Sequence, residues 1–487
     1  MDVSQEKKLK NSQLLGYGSY TFFAALGALT WSFRNMYYAL IGMNMALLST
    51  VGLAVGVFDL TVTTMVGGII EKVRLNIGGG GKYRPWLFIF MFVITFGVII
   101  TYTDFIPGNE VMHFITAFIG LLCVAISMSF IASAQFGIVP LLAGASAVDR
   151  TRITTWNYRI QTCTSIITSL SAAFLLTWFG TKFKPPLNYT VMSCCFAGFY
   201  IVGATMLRRV AKPYDLPVDK SSSSGPAAPE VKVSDMVKAV TTNSQLLVYL
   251  SANMLNTIGV MINMNMIIYF WQLIIPYTHG ISPADSFPGL YTIAQTTTTV
   301  ASFLFSMVGP ELGKKIGKRR AIWIGMLGAS VSAVLNCFFG AGFWALFVGI
   351  NMIMTFSNSL YTGFGINYAL DCGEYGLWKT GQDHRLVIMS MTNLPMKIAA
   401  VLGGLVMYLL AAIGFDSLAV QAASAQGGIP AFVDDVFVRN FMLLLMGIPA
   451  VCRLCASMLM RFAYKITDED ARMYAAENQA RREAAAS

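Results

Sequence analysis

The chain has 487 residues, 55% of them hydrophobic and only 12% charged, with a net charge of +10. Its mean hydropathy is +0.61. A soluble domain carries about twice that share of charge, so an ordinary soluble fold is excluded. The surplus of lysine and arginine then speaks of membrane topology rather than of a nucleic-acid surface.

Met1 to Ser12 is polar and basic, and the apolar run behind it is far longer than a signal-peptide core, so no cleavable leader is expected. At about 20 apolar residues per crossing, the first half holds six spans, at about 13–40, 44–73, 84–104, 111–141, 152–180 and 187–209. The second half holds six more, at about 243–277, 285–309, 319–340, 342–371, 384–415 and 436–464. The predicted class is therefore all-α and integral to the membrane.

Within its apolar run span II carries one acid, Asp59, with apolar sequence on both sides, and it ends in the basic, glycine-rich loop before Trp86. A carboxylate at that depth is expensive and marks a candidate ion or proton site, with structural pairing to a buried base as the alternative. Lysine and arginine fall on alternate loops. Lys72, Lys82, Arg84, Arg150, Arg208, Lys314, Lys318, Arg320 and Lys379 gather on one side, while Asp104, Glu110, Asp285, Asp416 and Asp434 lie on the other. Both termini are then cytoplasmic, as an even number of spans requires.

The stretch 210–242, with Ser221 to Pro226, reads as a hydrophilic linker between an N-terminal bundle (1–209) and a C-terminal bundle (243–466), and 467–487 as a cytoplasmic tail forming an exposed helix. Val231 to Val240 reads as a short amphipathic helix. The eight cysteines lie mostly within apolar runs, and Cys452 and Cys455, although spaced as CxxC, have no histidine or acid company. Small packing residues are the natural reading. His113, His279 and His384 are scattered, so no metal site, cofactor or catalytic constellation is expected. The basic loop after span II is matched by Gly313 to Arg320 after span VIII. Such a repeat in two six-helix halves is the mark of the major facilitator architecture, with a mid-depth site exposed alternately to each side.

Asp59 followed by Lys82-Tyr83-Arg84-Pro85-Trp86, Asp371-Cys372-Gly373-Glu374-Tyr375-Gly376 after span X, and Gly309 to Arg319 together resemble the glycoside–pentoside–hexuronide:cation symporters, the family of melibiose permease. The resemblance runs from about Gly16 to about Ile466 and implies a major facilitator fold that imports a sugar with a cation. It places Asp59 at the first of two span II acids used in coupling. The second acid is Thr63 here, the polar position between them is Val62, and Ser129 falls where a hydroxyl joins the cation site. A sodium cage needs several oxygen ligands, whereas one carboxylate in an apolar setting is enough to carry a proton. A proton rather than sodium is the expected coupling ion.

On the substrate side, the two sugar-binding acids the resemblance implies fall at Phe23 and Ala132. Two bases persist, Arg159 on span V beside Tyr158, and Lys397 on span XI; Arg34 on span I is a third. Losing acids while keeping bases fits an anionic substrate such as a uronide. A neutral glycoside, with Lys397 paired to Asp59, is nevertheless the expected substrate, the anionic substrate and an uncoupled facilitator being the alternatives. Asn263, Trp271, Asn367 and Asn393 are of the right types to line a sugar cavity, although amides in membranes also serve as interhelical glue. Lys82, Arg84, Asp371 and Glu374 are expected to form a cytoplasmic gate. The expected partners are a small-molecule substrate and the bilayer of a bacterial cell membrane, with no nucleic acid, the chain acting as a monomer.

Overall fold

The computed structural model describes residues 9–73, 75–77, 80–143, 147–216, 241–283, 285–362, 364–381, 394–403 and 405–486. The proposed amphipathic helix at Val231 to Val240 lies outside them, as do most of the linker and His384. Every regular element among the described residues is a helix. Hydrocarbon gives a bare amide or carbonyl no partner, so a spanning segment has to satisfy its backbone within itself.

The first half holds α1 (Asn11–Gly27), α2 (Arg34–Leu40), α3 (Met45–Lys72), α4 (Arg84–Thr101), α5 (Glu110–Ala143), α6 (Ala147–Lys182) and α7 (Leu187–Ala211). The second holds α8 (Ser244–Tyr269), α9 (Tyr291–Ile316), α10 (Lys318–Phe339), α11 (Trp344–Thr362), α12 (Gly365–Thr380), α13 (Leu394–Gly403) and α14 (Val406–Ala412). It continues with α15 (Ser417–Ala425), α16 (Asp435–Met442), α17 (Ile448–Met458) and α18 (Asp468–Ala486).

Nine stretches among the described residues are long and apolar enough to cross a membrane. The three other predicted spans are helical but interrupted or polar. Span I is split between α1 and α2 by a 3₁₀ turn at Leu29–Phe33. Span VIII (α9) carries Gln295 and the threonines 296–299, and span X is divided into α11 and α12. Two π-turns, Phe270–Ile274 and Leu443–Gly447, stand just before Pro276 and Pro449. Proline has no N–H to give the preceding turn, and a wider turn accommodates the loss.

The chain divides into two units. One comprises Met1–Pro226, Phe287–Thr296 and Asp416–Pro430; the other comprises Ala227–Ser286, Thr297–Phe415 and Ala431–Ser487. In the first unit α4 and α5 cross with their backbones almost touching. A Cβ on Gly97 would stand 3.0 Å from the Gly120 carbonyl oxygen, and one on Gly120 would stand 3.0 Å from that of Gly97. Small residues permit this approach, and close packing drives helix association where there is no hydrophobic effect.

The N-terminus of α4 is capped from a distance. Asp215 is 3% exposed. Its carboxylate accepts from the amides of Lys82 (2.6 Å), Tyr83 (2.8 Å) and Arg84 (2.9 Å). Three amides converging at the positive end of a helix make a strong anion cradle. Gly81, at φ +96°, leaves room for it, since a Cβ there would meet Asp215 at 2.6 Å. The first residues of the stretch read as linker are thus built into the first unit.

In the second unit the tail is not an exposed helix. Helix α18 packs on α12, with Tyr474 against Trp378 and Tyr375. The Trp378 indole donates to Glu477 (2.7 Å), and the Asn478 amide, 3% exposed, donates to the Glu374 carboxylate (2.8 Å). The sequence hid this because the contacts rest on three tail residues, Tyr474, Glu477 and Asn478, among charged and small ones.

Replacing Asp215 by Ala strands the three α4 amides and is expected to cost about 1–3 kcal/mol, read as a lower thermal midpoint in detergent, with Asp215→Asn intermediate. Truncation after Thr467 is expected to lower the midpoint as well and to raise the solvent accessibility of Trp378, measured by acrylamide quenching.

Candidate functional site

The site begins with helical spacing. Thr63 lies one turn beyond Asp59 on α3, so the two side chains share a face, and α5 packs against that face. The Ser129 hydroxyl of α5 donates to the Asp59 carboxylate at 2.7 Å, and the Thr63 hydroxyl donates to the same oxygen at 3.3 Å. The two hydroxyl oxygens are 2.8 Å apart. Asp59, Thr63 and Ser129, drawn from two helices, thus form one cluster of oxygens.

One residue along, α5 turns a different side chain to its neighbours. Phe130 stacks on Phe90 (4.2 Å between centroids) and Trp86 (5.0 Å) of α4. Val66 and Ile70 of α3 complete this buried cluster. The aromatic stack fixes the register of α3, α4 and α5 just beside the carboxylate. Such buried aromatic area carries far more packing energy than the hydroxyl contacts do.

The predicted substrate residues are spread through both units. In the first, Arg34 opens α2 after the 3₁₀ turn, lies over Trp31 (5.1 Å) and donates to the Asn35 amide oxygen. Arg159 of α6 is exposed, 6.0 Å over the Trp156 ring. Tyr158 is helical in its backbone, but its side chain lies outside the described residues. In the second unit, Asn263 on α8 and Lys397 on α13 are half-buried. Asn367 is exposed, placed on α12 beyond the break in span X. Asn393 lies outside the described residues.

Trp271 is packed within the second unit. It is 2% exposed and sits edge-on to Phe270 and Phe347. The residue lies within the π-turn Phe270–Ile274.

Each member of the predicted gate is held within its own unit. The Lys82 and Arg84 amides bind Asp215, and the Lys82 ammonium lies over Tyr83 at 5.4 Å. Asp371 accepts from the Lys318 ammonium at 2.5 Å, and Lys318 also lies 3.4 Å from Asp468.

Sequence reading missed two groupings. Thr21 of α1 donates to Asn157 of α6 (2.5 Å), Gln135 of α5 donates to Thr21 (3.4 Å), and the Tyr17 hydroxyl donates to the Gln135 carbonyl. This polar network stands two residues from Arg159; hydroxyl and amide positions at matching depth on spans I, IV and V were its only signal. Arg453 on α17 is 3% exposed, near the Met354 sulfur and within electrostatic reach of Tyr361. Nothing in its local sequence announced that inward position.

An all-α bundle with a carboxylate–hydroxyl cluster between spans defines an integral membrane carrier. Residues 14–468 match the MFS/sugar transport protein family, and the chain belongs to it. The chain is 27% identical over 482 residues to a Bacillus subtilis (strain 168) protein named as the uncharacterised symporter YjmB, covering 96% of this chain and 95% of that one. It is 24% identical to the isoprimeverose transporter of Lactiplantibacillus pentosus, covering 80% and 77% of the two chains. A provisionally named sulfoquinovose importer of Salmonella typhimurium is 20% identical, covering 85% and 80%.

The fold is also that of a bacterial homologue of the lysosomal transporter Spinster, with a TM-score of 0.62, 12% identity, and 93% and 96% of the chains covered. These findings agree with the resemblance read from the sequence motifs. The protein is a multi-pass membrane transporter of the major facilitator type, and its family is one of carriers, not enzymes.

Phe130→Ala is expected to cost about 3–5 kcal/mol and Ser129→Ala about 1.5–3 kcal/mol, the range for a hydrogen bond to a charged group. Thermal midpoints in detergent should fall in that order. The reverse order would place the aromatic stack outside the load-carrying packing of α3 and α5.

Proposed function

We propose that the protein imports a glycoside or related sugar across the cell membrane of a bacterium, with both termini cytoplasmic, by alternating access coupled to a proton carried on Asp59. The observation that carries this reading is the Asp59 carboxylate held by two hydroxyls, with Thr63 where the resemblance implies a second acid. Ser129 and Thr63 donate to the charged form and can turn when a proton arrives, so the cluster tolerates both states of the acid. A hard cation would instead need more oxygen ligands than one carboxylate and two hydroxyls. Relatives named as a symporter and as a sugar transporter support the sugar-plus-ion reading.

The sugar side would be formed by the network of Thr21, Gln135 and Asn157 with Arg159 beside it, amides and hydroxyls suited to sugar hydroxyl groups. Lys397, Asn263 and Asn367 would contribute from the other half. Coupling requires that sugar and proton share a preference for one conformation. Asp371 and Glu374, held by Lys318 and Asn478, would gate the cytoplasmic side together with Lys82 and Arg84.

A second reading, an anionic sugar, is favoured by one observation. Arg159 is exposed and steadied by Trp156, leaving its guanidinium fork available to a carboxylate or sulfonate. The likeness to a provisionally named sulfoquinovose importer, whose named substrate bears a sulfonate, points the same way.

In proteoliposomes, an inwardly directed proton gradient is expected to drive accumulation of a radiolabelled glycoside, and Asp59→Asn to cut that accumulation roughly tenfold or more while leaving exchange in place. Accumulation that ignores the gradient and the mutation would make the protein a facilitator. Arg159→Ala is expected to weaken binding of a uronide roughly ten- to hundredfold and that of its neutral counterpart little; equal losses would retire the anionic reading.

A further inference from the structure

At the basic end of the second unit a cavity of about 310 Å³ is lined by Gly317, Arg319, Arg320, Trp323, Arg461 and Asp468, among others. It lies where α10 begins and the last turn of span XII, Leu459–Ala463, ends. Three guanidiniums share one small space, and the protein itself answers few of them. Arg320 makes no hydrogen bond or ion pair with a described group. Arg461 lies over Trp323 (4.9 Å) and Phe462 (5.2 Å) and meets no carboxylate among the described residues. Arg319 donates to the Arg461 carbonyl at 3.2 Å, which draws the two cations together.

The nearby acids are engaged elsewhere. Asp468 accepts from the Lys318 amide (3.2 Å) and faces the Lys318 ammonium (3.4 Å), which also holds Asp371. Asp470 accepts from the Thr467 amide and hydroxyl, although its charge also reaches Arg319. Lys315 adjoins Ile316 of the lining, Lys465 stands two residues from Thr467, and both add positive field.

What lies beside the cavity is apolar and exposed. From Trp323, α10 continues through Ile324 (36%), Val331 (52%) and Leu335 (40%), while Phe462 (69%), Met458 (50%) and Val451 (61%) descend the neighbouring helix. Each series repeats at helical spacing, and the two helices pack along their lengths. A charged recess at the head of two parallel lipid-facing stripes has the amphipathic form of a phospholipid. We infer that this cavity binds the phosphate headgroup of an anionic phospholipid, between Arg320 and Arg461, with its acyl chains along the stripes of α10 and α17. Basic pockets between helices on the side facing an anionic leaflet are suited to such headgroups.

The test uses the full chain in nanodiscs and does not depend on any transported substrate. Native mass spectrometry of protein released from discs of equimolar phosphatidylcholine and phosphatidylglycerol is expected to show preferential retention of phosphatidylglycerol. Arg320→Gln and Arg461→Gln are each expected to reduce that preference about fivefold, and the pair about 25-fold, at the value of one surface arginine apiece. Arg320→Lys, which keeps the charge and guards against a folding defect, should retain most of it, and Lys379→Gln elsewhere on the basic face should leave it unchanged.

Equal retention of the two lipids by the wild type, or an undiminished preference in the double variant, would overturn the proposal. So would inorganic phosphate at millimolar concentration displacing the lipid completely, since the cavity would then be a site for the free ion. Loss of sugar uptake with lipid preference intact would count against the transport reading and leave this one standing.

Discussion

Inside a bilayer a polar group can be answered only by the protein, and most of the structure follows from that scarcity. Threonines and serines along the spans return their hydroxyls to the carbonyl one turn behind, as Thr61 does to Val57, Thr95 to Met91 and Thr164 to Ile160. Asp59 is the demanding case because a carboxylate cannot be settled on its own helix alone. It draws one donor from α3 and another from α5, and so makes the packing of two spans part of its own solvation. Asp215 does the same for the start of α4, gathering three amides that no helix can satisfy for itself.

How much of this the sequence disclosed depends on whether the information was periodic or spatial. Apolar length and the alternation of basic loops gave the helical class and the intervals of the spans, because both are averages over many residues. Asp59, Thr63 and Ser129 were visible as candidates because an acid in an apolar run is conspicuous and the family motifs placed a hydroxyl opposite. The break at Leu29–Phe33 and the π-turn at Phe270–Ile274 were not visible, since each depends on local winding that composition does not record. Asp215 looked like the start of a linker because its partners are more than 130 residues away. The tail looked featureless for a similar reason, its contacts resting on Tyr474, Glu477 and Asn478 meeting side chains of α12.

The two halves of the chain use related basic loops differently. After span II the loop is closed by a buried acid on backbone amides, which leaves the side chains of Lys82 and Arg84 for other tasks. After span VIII the lysine side chain itself is the hub, holding Asp371 of α12 and Asp468 of α18 together. The tail therefore joins the end of span X to the start of span IX through one ammonium group. Family resemblance in the loop does not carry over to its wiring.

The stack of Trp86, Phe90 and Phe130 has a further consequence. Because Phe130 adjoins Ser129, the rings act as a ruler for the height at which the hydroxyl meets Asp59. Spans II, III and IV are thereby packed together around the carboxylate. An aromatic residue that never touches Asp59 thus becomes one of the determinants of its surroundings.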